Sequence, residues 1–243
     1  QTYKPGKLTI ATGQPAYEPW VMNDKPESGE GYEAAVAYAV ADKLGFKKSD
    51  VVWTRTAFDT AIAPGAKDWD FNIQQFGITD ERKKAVDFSS SYYNDSQSVV
   101  VKKDSKFANA TKVSDLKDAT VGVMVGTLAY DYAKANIKDD IQTFNDDAAL
   151  AQALDAGQID VLVTSTVECV YMVQSEQVKD SKVLGRLPDS EDKSGMGIVL
   201  PKDSKLTAAV TKAVDDLNAD GTIKKLQDKW LAEYTTDLTE LKK

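Results

Sequence analysis

The stretch Asp70-Phe71-Asn72-Ile73-Gln74-Gln75-Phe76-Gly77-Ile78-Thr79-Asp80-Glu81-Arg82 passes from an apolar run to a helix start within a few residues. Asp70 to Phe76 reads as a strand. Thr79 reads as the cap of the next helix, with Asp80 and Glu81 in its first turn. A strand that leads at once into a helix is the repeating unit of α/β folds. The same reading puts Arg82 near the positive end of a helix, where a cation is disfavoured and needs an anionic partner. The acidic neighbours are one such partner. A ligand carboxylate is the sharper one, because the planar guanidinium grips a carboxylate through two parallel hydrogen bonds.

Outward from this stretch, short β-branched runs alternate with helical patterns, as in layers with largely parallel sheets. Leu8 to Thr12 is a first strand, and Tyr32, Val36, Val40 and Leu44 recur at fours along a helix ended by Gly45. Val51 to Trp53 is a second strand and Phe58 to Ala66 a helix. After Tyr93 an extended segment, Ser98 to Lys103, opens a second series. Here Val121 to Val125 reads as a strand, Leu128 to Asn136 and Asp147 to Ala156 as helices, and Val161 to Thr164 as a strand. The stretches Phe58 to Phe71 and Asp146 to Val161 echo one another, each running from a helix through a polar turn and an Asp into a strand. The polar segment Pro188 to Gly195 marks a return crossing into Met196 to Leu200. Two closing helices then carry apolar stripes, Leu206 to Leu217 and Ile223 to Trp230. The expected division is a first lobe of residues 1–97 with 196–243 and a second lobe of residues 98–195.

Composition narrows the function. The chain of 243 residues carries a net charge of −8, which argues against nucleic acid and anionic membrane surfaces as partners. No apolar stretch approaches the roughly 18 residues of a membrane span. Histidine is absent, which removes the commonest general base and metal ligand. With Cys169 as the single cysteine, no internal disulfide or thiolate metal cluster forms, so neither a metal nor a cofactor is expected. Cys169 lies in the apolar run Val161 to Met172 and reads as a buried core thiol. The N-terminal residues lack the apolar core of a signal peptide, so the protein is cytosolic or a leader has been removed.

Several residues cluster where a ligand would sit. Gly126-Thr127 follows a strand and opens a helix, exposing free N–H groups at a helix N-terminus; Leu128 follows. With Arg82, this gives two anion-friendly features at the carboxyl ends of strands, where open α/β sheets place ligands. Tyr17 and Trp53 are aromatic candidates for a pocket wall, with core packing as the alternative. Gln74 and Gln75 interrupt an apolar run, and buried amides demand partners. Strand alternation turns only one of them to a given side, and Gln75, nearer the Arg82 turn, is the better ligand contact. Glu168 is the nearest candidate for a catalytic acid, although a solvated or salt-bridged helix position is the plainer reading.

As a set, Gly31-Tyr32-Glu33, Phe58-Asp59, Ile78-Thr79-Asp80-Glu81-Arg82, Val86-Asp87-Phe88-Ser89, Tyr92-Tyr93, Gly126-Thr127, Gly157-Gln158-Ile159-Asp160 and Leu217-Asn218-Ala219-Asp220-Gly221-Thr222 run through nearly the whole chain. On these motifs the chain resembles the family 3 extracellular solute-binding proteins, the receptors of polar amino acid ABC importers. The resemblance implies a two-lobe periplasmic-binding-protein fold of type II. Each lobe is a central mixed sheet flanked by helices, and two hinge strands join lobes that close over one small ligand. It also implies a monomer, outside the cytoplasm, either in the periplasm or as a surface lipoprotein whose leader and anchor are removed. Its partners would be permease subunits and a carboxylate ligand that is an amino acid or a derivative. Arg82 would hold the ligand carboxylate, with Gly126 and Thr127 contributing from the facing lobe and Tyr17 walling the pocket.

Two positions depart from the family pattern. Gly77 stands five residues before the Arg, where a Ser or Thr hydroxyl is usual. Ser165 lies where an Asp usually pairs with the ligand ammonium. The ligand nitrogen is therefore expected to be absent, substituted or quaternary, or to be received by Gln75, Gln14, Tyr17 or another carboxylate. Two alternatives share the scaffold: a cyclohexadienyl dehydratase-like enzyme, which needs a general acid, and the sensor domain of a receptor.

Overall fold

A computed structural model of the chain describes residues 2–235 and 238–243. Its strands and helices fall into two compact units. Unit 1 comprises Gln1–Asn94 with Lys193–Ala232, and unit 2 comprises Asp95–Asp192 with Glu233–Lys243.

In unit 1, β1 (Leu8–Gly13) is buried along its whole length, whereas β2 (Val51–Thr56) is half-exposed throughout. That contrast is the signature of a central parallel strand covered on both faces beside an edge strand. The sheet order is β2-β1-β3-β10-β4, where β3 is Phe71–Asn72, β4 is Val86–Tyr93 and β10 is Met196–Pro201. β1 pairs in parallel with β2 and β3, while β10 returns from the far end of the chain and pairs antiparallel with β3 and β4. Helix α1 (Tyr32–Lys43) buries Tyr32, Val36 and Val40, as the spacing by fours requires. It packs against the two closing helices, α7 (Thr207–Ala219) and α8 (Thr222–Trp230).

Two segments of unit 1 are shorter than their sequence suggests. Helix α2 spans only Phe58–Ala61, and β3 stops at Asn72 instead of Phe76. Past Asn72 the side chains capture the polar groups that a ladder would otherwise use. The Gln75 N–H donates to Glu33, and Gln75 adopts a left-handed φ of 52°, which no extended strand permits.

In unit 2 the sheet order is β7-β6-β8-β5-β9, with β5 Gln97–Lys102, β6 Val121–Met124, β7 Ile141–Phe144, β8 Val161–Ser165 and β9 Ser181–Arg186. Strand alternation sorts its side chains between two cores. Val99, Val101, Val121, Val123, Val161 and Val163 face a cluster with Leu116, Ala129 and Ala133. Val100 and Leu162 face the other cluster, with Leu150, Leu154, Cys169 and Met172. Strands apolar on both faces need helices on both sides, and α4 (Leu128–Asn136), α5 (Asp147–Asp155) and α6 (Thr166–Gln174) supply them.

The C-terminal segment corrects the expected division of the chain. The sequence pattern puts residues 196–243 together in the first lobe, yet Glu233 onward belongs to unit 2. The Leu241 N–H donates to the Arg186 carbonyl at 2.8 Å, and the Val113 N–H donates to the Lys242 carbonyl at 2.8 Å. Leu241, 2% exposed, completes the first of the two unit 2 cores. Burial of Leu241 contributes about 2 kcal/mol to the placement, beside these backbone hydrogen bonds.

Candidate functional site

In unit 1 the loop after β3 is built around two buried or half-buried charges. Thr79 caps α3 (Asp80–Lys83), its hydroxyl oxygen accepting from the Arg82 N–H at 3.1 Å. The helix is a single turn, so its dipole is too small to make Arg82 awkward. Partial burial does so instead, and it lowers the guanidinium pKa while nearby Asp59 raises it. The Arg82 Nη1 donates to the Gly77 carbonyl at 2.8 Å, and the guanidinium lies 5.3 Å from the centre of the Phe58 ring. Among the described residues Arg82 has no carboxylate within ion-pair distance, unlike Arg55, which holds Asp24 at 2.5 Å. A Cβ at Gly77 would meet the Arg82 Nη1 at 3.5 Å, an ordinary van der Waals contact.

The second charge is Glu33, wholly buried on α1. Burial pushes its carboxyl up to about 7, against hydrogen bonds from Tyr92 and Gln75 that act to lower it. The Tyr92 hydroxyl donates to Oε2, the Gln75 N–H donates to Oε2 at 2.8 Å, and the Gln75 side-chain amide donates to Oε1. Gln75 is thereby committed to Glu33, and strand alternation, which would have aimed it at a ligand, does not apply beyond Asn72. Its role is to fix the loop that carries Gly77 and Arg82.

Gln14 and Tyr17 leave the carboxyl end of β1, and both are exposed, Tyr17 at 56%. Arg55 anchors their segment by donating to the carbonyls of Gly13 at 2.9 Å and Asp24 at 2.8 Å, while the Asp24 carboxylate accepts from the Ala16 N–H at 2.8 Å. Trp53 is different. It lies opposite Ile10 in the middle of edge strand β2, meets Tyr38 of α1 edge to face at 5.9 Å and donates from Nε1 to the Tyr38 hydroxyl at 3.0 Å. The structure gives Trp53 a packing role on the helix side, away from the strand ends.

In unit 2, β6 and β8 are parallel neighbours, so Gly126-Thr127 and Ser165 leave the same edge of the sheet. Gly126 has φ 73°, the left-handed conformation this turn requires. The Thr127 hydroxyl donates to the Met124 carbonyl at 2.7 Å and accepts from the Tyr130 N–H at 3.3 Å, so its cap role is filled. Val125 and Leu128 flank the turn with 51% and 48% exposure, large apolar side chains left in the open beside a helix start. Ser165 precedes α6 without capping it.

Of the acidic groups at this edge the sequence reading singled out Glu168 and missed Asp95 and Asp147. Asp95 is 5% exposed, and Asp147 and Glu168 are half-buried in the first turns of α5 and α6. Burial pushes all three carboxyls up, Asp95 to about 7, Asp147 to about 6 and Glu168 to about 8. The charges of Asp147 and Asp95 raise Glu168 further. Amides of Ser96, Val167 and Thr166 pull Asp95 the other way. None of the three acids has an ion-pair partner among the described residues, so Glu168, half-buried, is not the salt-bridged residue of its plain reading. The signal available in sequence for Asp147 was the Asp146-Asp147 doublet, an ordinary cap pattern, and Asp95 before an apolar strand offered none. Among the described residues no group of acidic, histidine or cysteine side chains is arranged to hold a metal ion.

Two mixed α/β sheets with charged groups gathered at their strand ends define a solute-binding protein of the two-lobe, type II periplasmic-binding class. The chain belongs to the bacterial extracellular solute-binding proteins, family 3, whose pattern it matches over residues 8–233. It is similar to the L-cystine-binding protein TcyJ of Escherichia coli (strain K12), with 29% identity over 223 residues, 90% of this chain and 81% of that protein. It is also similar to an L-arginine-binding protein of Pseudomonas aeruginosa, with 28% identity over 245 residues, covering 94% and 88% of the two chains. Among solved structures, an ancestral arginine-binding protein bound to arginine aligns with a TM-score of 0.70 and 31% identity over 93% of this chain and 98% of that one. Proteins of this family act outside the cytoplasm as receptors of ABC importers, delivering their solute to permease subunits.

Proposed function

We propose that this protein is the receptor of an amino acid ABC importer and that Arg82 takes the carboxylate of its ligand. The observation that carries the reading is a half-buried guanidinium with one N–H on the Gly77 carbonyl and no carboxylate within ion-pair distance among the described residues. A half-buried cation without an ion-pair partner gains from one, and an amino acid carboxylate supplies that charge in the bidentate geometry that Arg favours. Gly77 leaves that work to the guanidinium and to backbone, because no hydroxyl is present at this position. The relatives support the class of ligand, since two of them bind arginine and one binds cystine. The receptor works in the periplasm or as a lipid-anchored surface protein.

The test is calorimetric titration of protein stripped of bound solute by unfolding and refolding, with the free L-amino acids and L-cystine as probes. Saturable binding of one ligand per chain is expected for at least one probe; no binding across the set would refute the reading. Glu168 favours a second reading, because a half-buried carboxyl pushed up to about 8 is what a general acid requires. Turnover of prephenate or arogenate by the purified protein would establish an enzyme on this scaffold.

A further inference from the structure

We propose that Glu33 is a positioning residue of the ligand-carboxylate site: buried and out of reach of any ligand, it holds the Gln75-Phe76-Gly77 turn in the conformation that lays the Gly77 carbonyl against the Arg82 guanidinium. The proposal rests on the reading of Arg82 as the carboxylate clamp and names what sets the geometry of that clamp.

Between β3 and α3 the chain has few fixed points. The Ile73 N–H still donates to the Ala11 carbonyl at 3.1 Å. The next backbone anchors lie beyond the turn, where the Gly197 N–H donates to the Phe76 carbonyl at 3.0 Å and the Ile78 N–H to the Gly195 carbonyl at 2.9 Å. Gln75 stands between them at φ 52°, a left-handed conformation that a glutamine adopts only against a steric cost. Glu33 offsets that cost. Its Oε2 accepts the Gln75 backbone N–H at 2.8 Å, and its Oε1 accepts the Gln75 side-chain amide. Both bonds fall on one residue, so they fix its backbone and its side chain together. Two residues on, the Gly77 carbonyl meets the Arg82 Nη1 at 2.8 Å.

The chemistry of this place calls for a carboxylate. Gln75 presents two N–H donors and the Tyr92 hydroxyl a third, and an ionised carboxyl accepts all three. An amide at position 33 would turn its NH2 toward one of them. The frame around the carboxyl is itself tied, since the Tyr32 hydroxyl of α1 donates to the Tyr92 carbonyl of β4 at 2.5 Å. Glu33 is 0% exposed, and no cation is among the groups that act on its carboxyl. Such burial costs stability that an apolar side chain would not, so filling the core does not explain a glutamate here.

The same geometry couples the turn to pH. An oxygen that carries a proton is a poor acceptor, so the neutral acid grips its three donors less well than the carboxylate does. Burial pushes the Glu33 carboxyl up to about 7, which puts the change within a range where the protein can be assayed. The titratable side chains facing it are Tyr92 from β4 and Tyr32 from α1, both pushed above the ordinary phenol range by burial and neutral from pH 5 to pH 8. Gln75 from the turn and Gln227 from α8, which donates to the Tyr32 hydroxyl at 3.4 Å, carry no charge. Ligand affinity therefore rises with pH as Glu33 loses its proton.

The experiment compares wild type, Glu33→Gln, Gln75→Met and the double variant, each as the full chain stripped of bound solute. Amide hydrogen exchange of the unliganded proteins reads the turn without any ligand. Peptides covering residues 73–79 are expected to exchange about tenfold faster or more in Glu33→Gln, with peptides covering β1 unchanged. Titration calorimetry with the free L-amino acids and L-cystine then reads the site, the tightest binder of wild type being carried to the variants. At pH 8 each single variant is expected to bind about tenfold more weakly or worse, and the double variant no more weakly than the poorer single, because the two residues act as one unit. From pH 5 to pH 8 the affinity of wild type is expected to rise about threefold more than that of Glu33→Gln, a difference that a general loss of stability does not produce. Unchanged exchange in the turn, or affinities of both single variants within about twofold of wild type, overturns the positioning role and leaves Arg82 as the clamp. Additive losses in the double variant put Gln75 on the ligand itself and likewise overturn it. Failure of wild type to bind any of the probes overturns the receptor reading, and with it the site that Glu33 serves.

Discussion

Replacing Glu33 by Gln isolates a single buried ionisation beneath the ligand loop. Burial holds this carboxyl at about 7, against an ordinary value of 4.5. Because the folded-state value is the higher one, the neutral acid favours folding. Its contribution is fully present below pH 4.5, falls away as pH rises toward 7, and is constant above that. At about 1.4 kcal/mol for each tenfold in protonation, the whole loss is about 3 kcal/mol. Roughly a quarter is already gone at pH 5, so the change from pH 5 to pH 8 is about 2–3 kcal/mol. The amide of the Glu33→Gln variant cannot ionise and lacks this slope, although its NH2 opposes the Gln75 amide and costs on the order of 1–3 kcal/mol at every pH. The assay is urea unfolding followed by tryptophan fluorescence, which reads unit 1 alone because Trp20, Trp53, Trp69 and Trp230 all belong to it. Wild type should lose about 2–3 kcal/mol more than Glu33→Gln between the two pH values. Equal losses in the two proteins would show that Glu33 is ionised in the folded state and refute the reasoning.

Gly31 precedes α1 at φ 106°, and a Cβ there would lie 2.5 Å from the Trp20 carbonyl oxygen. Gly31→Ala is expected to lower stability by on the order of 3 kcal/mol, whereas Gly45→Ala, also at positive φ but in open space, should cost about 1 kcal/mol. Matching urea midpoints for the two variants would contradict the steric argument. Cys169 is wholly buried and its thiol is pushed well above the ordinary range, so the native protein should resist a thiol-specific reagent at pH 8 and react once unfolded in urea. Rapid native labelling would place Cys169 at the surface.

Much of the fold was legible because burial follows sequence period. The valine runs of β5, β6 and β8 declare strands covered on both faces, and the spacing by fours in α1 declares its buried stripe. Where side chains compete with the backbone, the reading failed. The expected strand at Gln74 and Gln75 became a loop because Glu33, about forty positions earlier, captures the Gln75 amides, and no local pattern announces a long-range partner. The tail showed the same limit, since Leu241 goes to unit 2 for a hydrophobic contact set by tertiary packing alone. At the candidate site, Arg82 could be singled out because the turn that carries it, Thr79-Asp80-Glu81, is written in consecutive residues. Of the acids of unit 2 only Glu168 could be singled out, because Asp147 sits in a helix first turn where an acidic residue is an ordinary choice and Asp95 precedes a strand with no local pattern to mark it.

The central claim is that Arg82 holds a ligand carboxylate. The most direct measurement is the dissociation constant of ligand-stripped Arg82→Ala for whichever free L-amino acid binds wild type most tightly. Loss of a half-buried, charge-assisted pair predicts at least ~2 kcal/mol, a weakening of about thirtyfold or more. An affinity within about threefold of wild type, a difference of under ~0.7 kcal/mol, would contradict it.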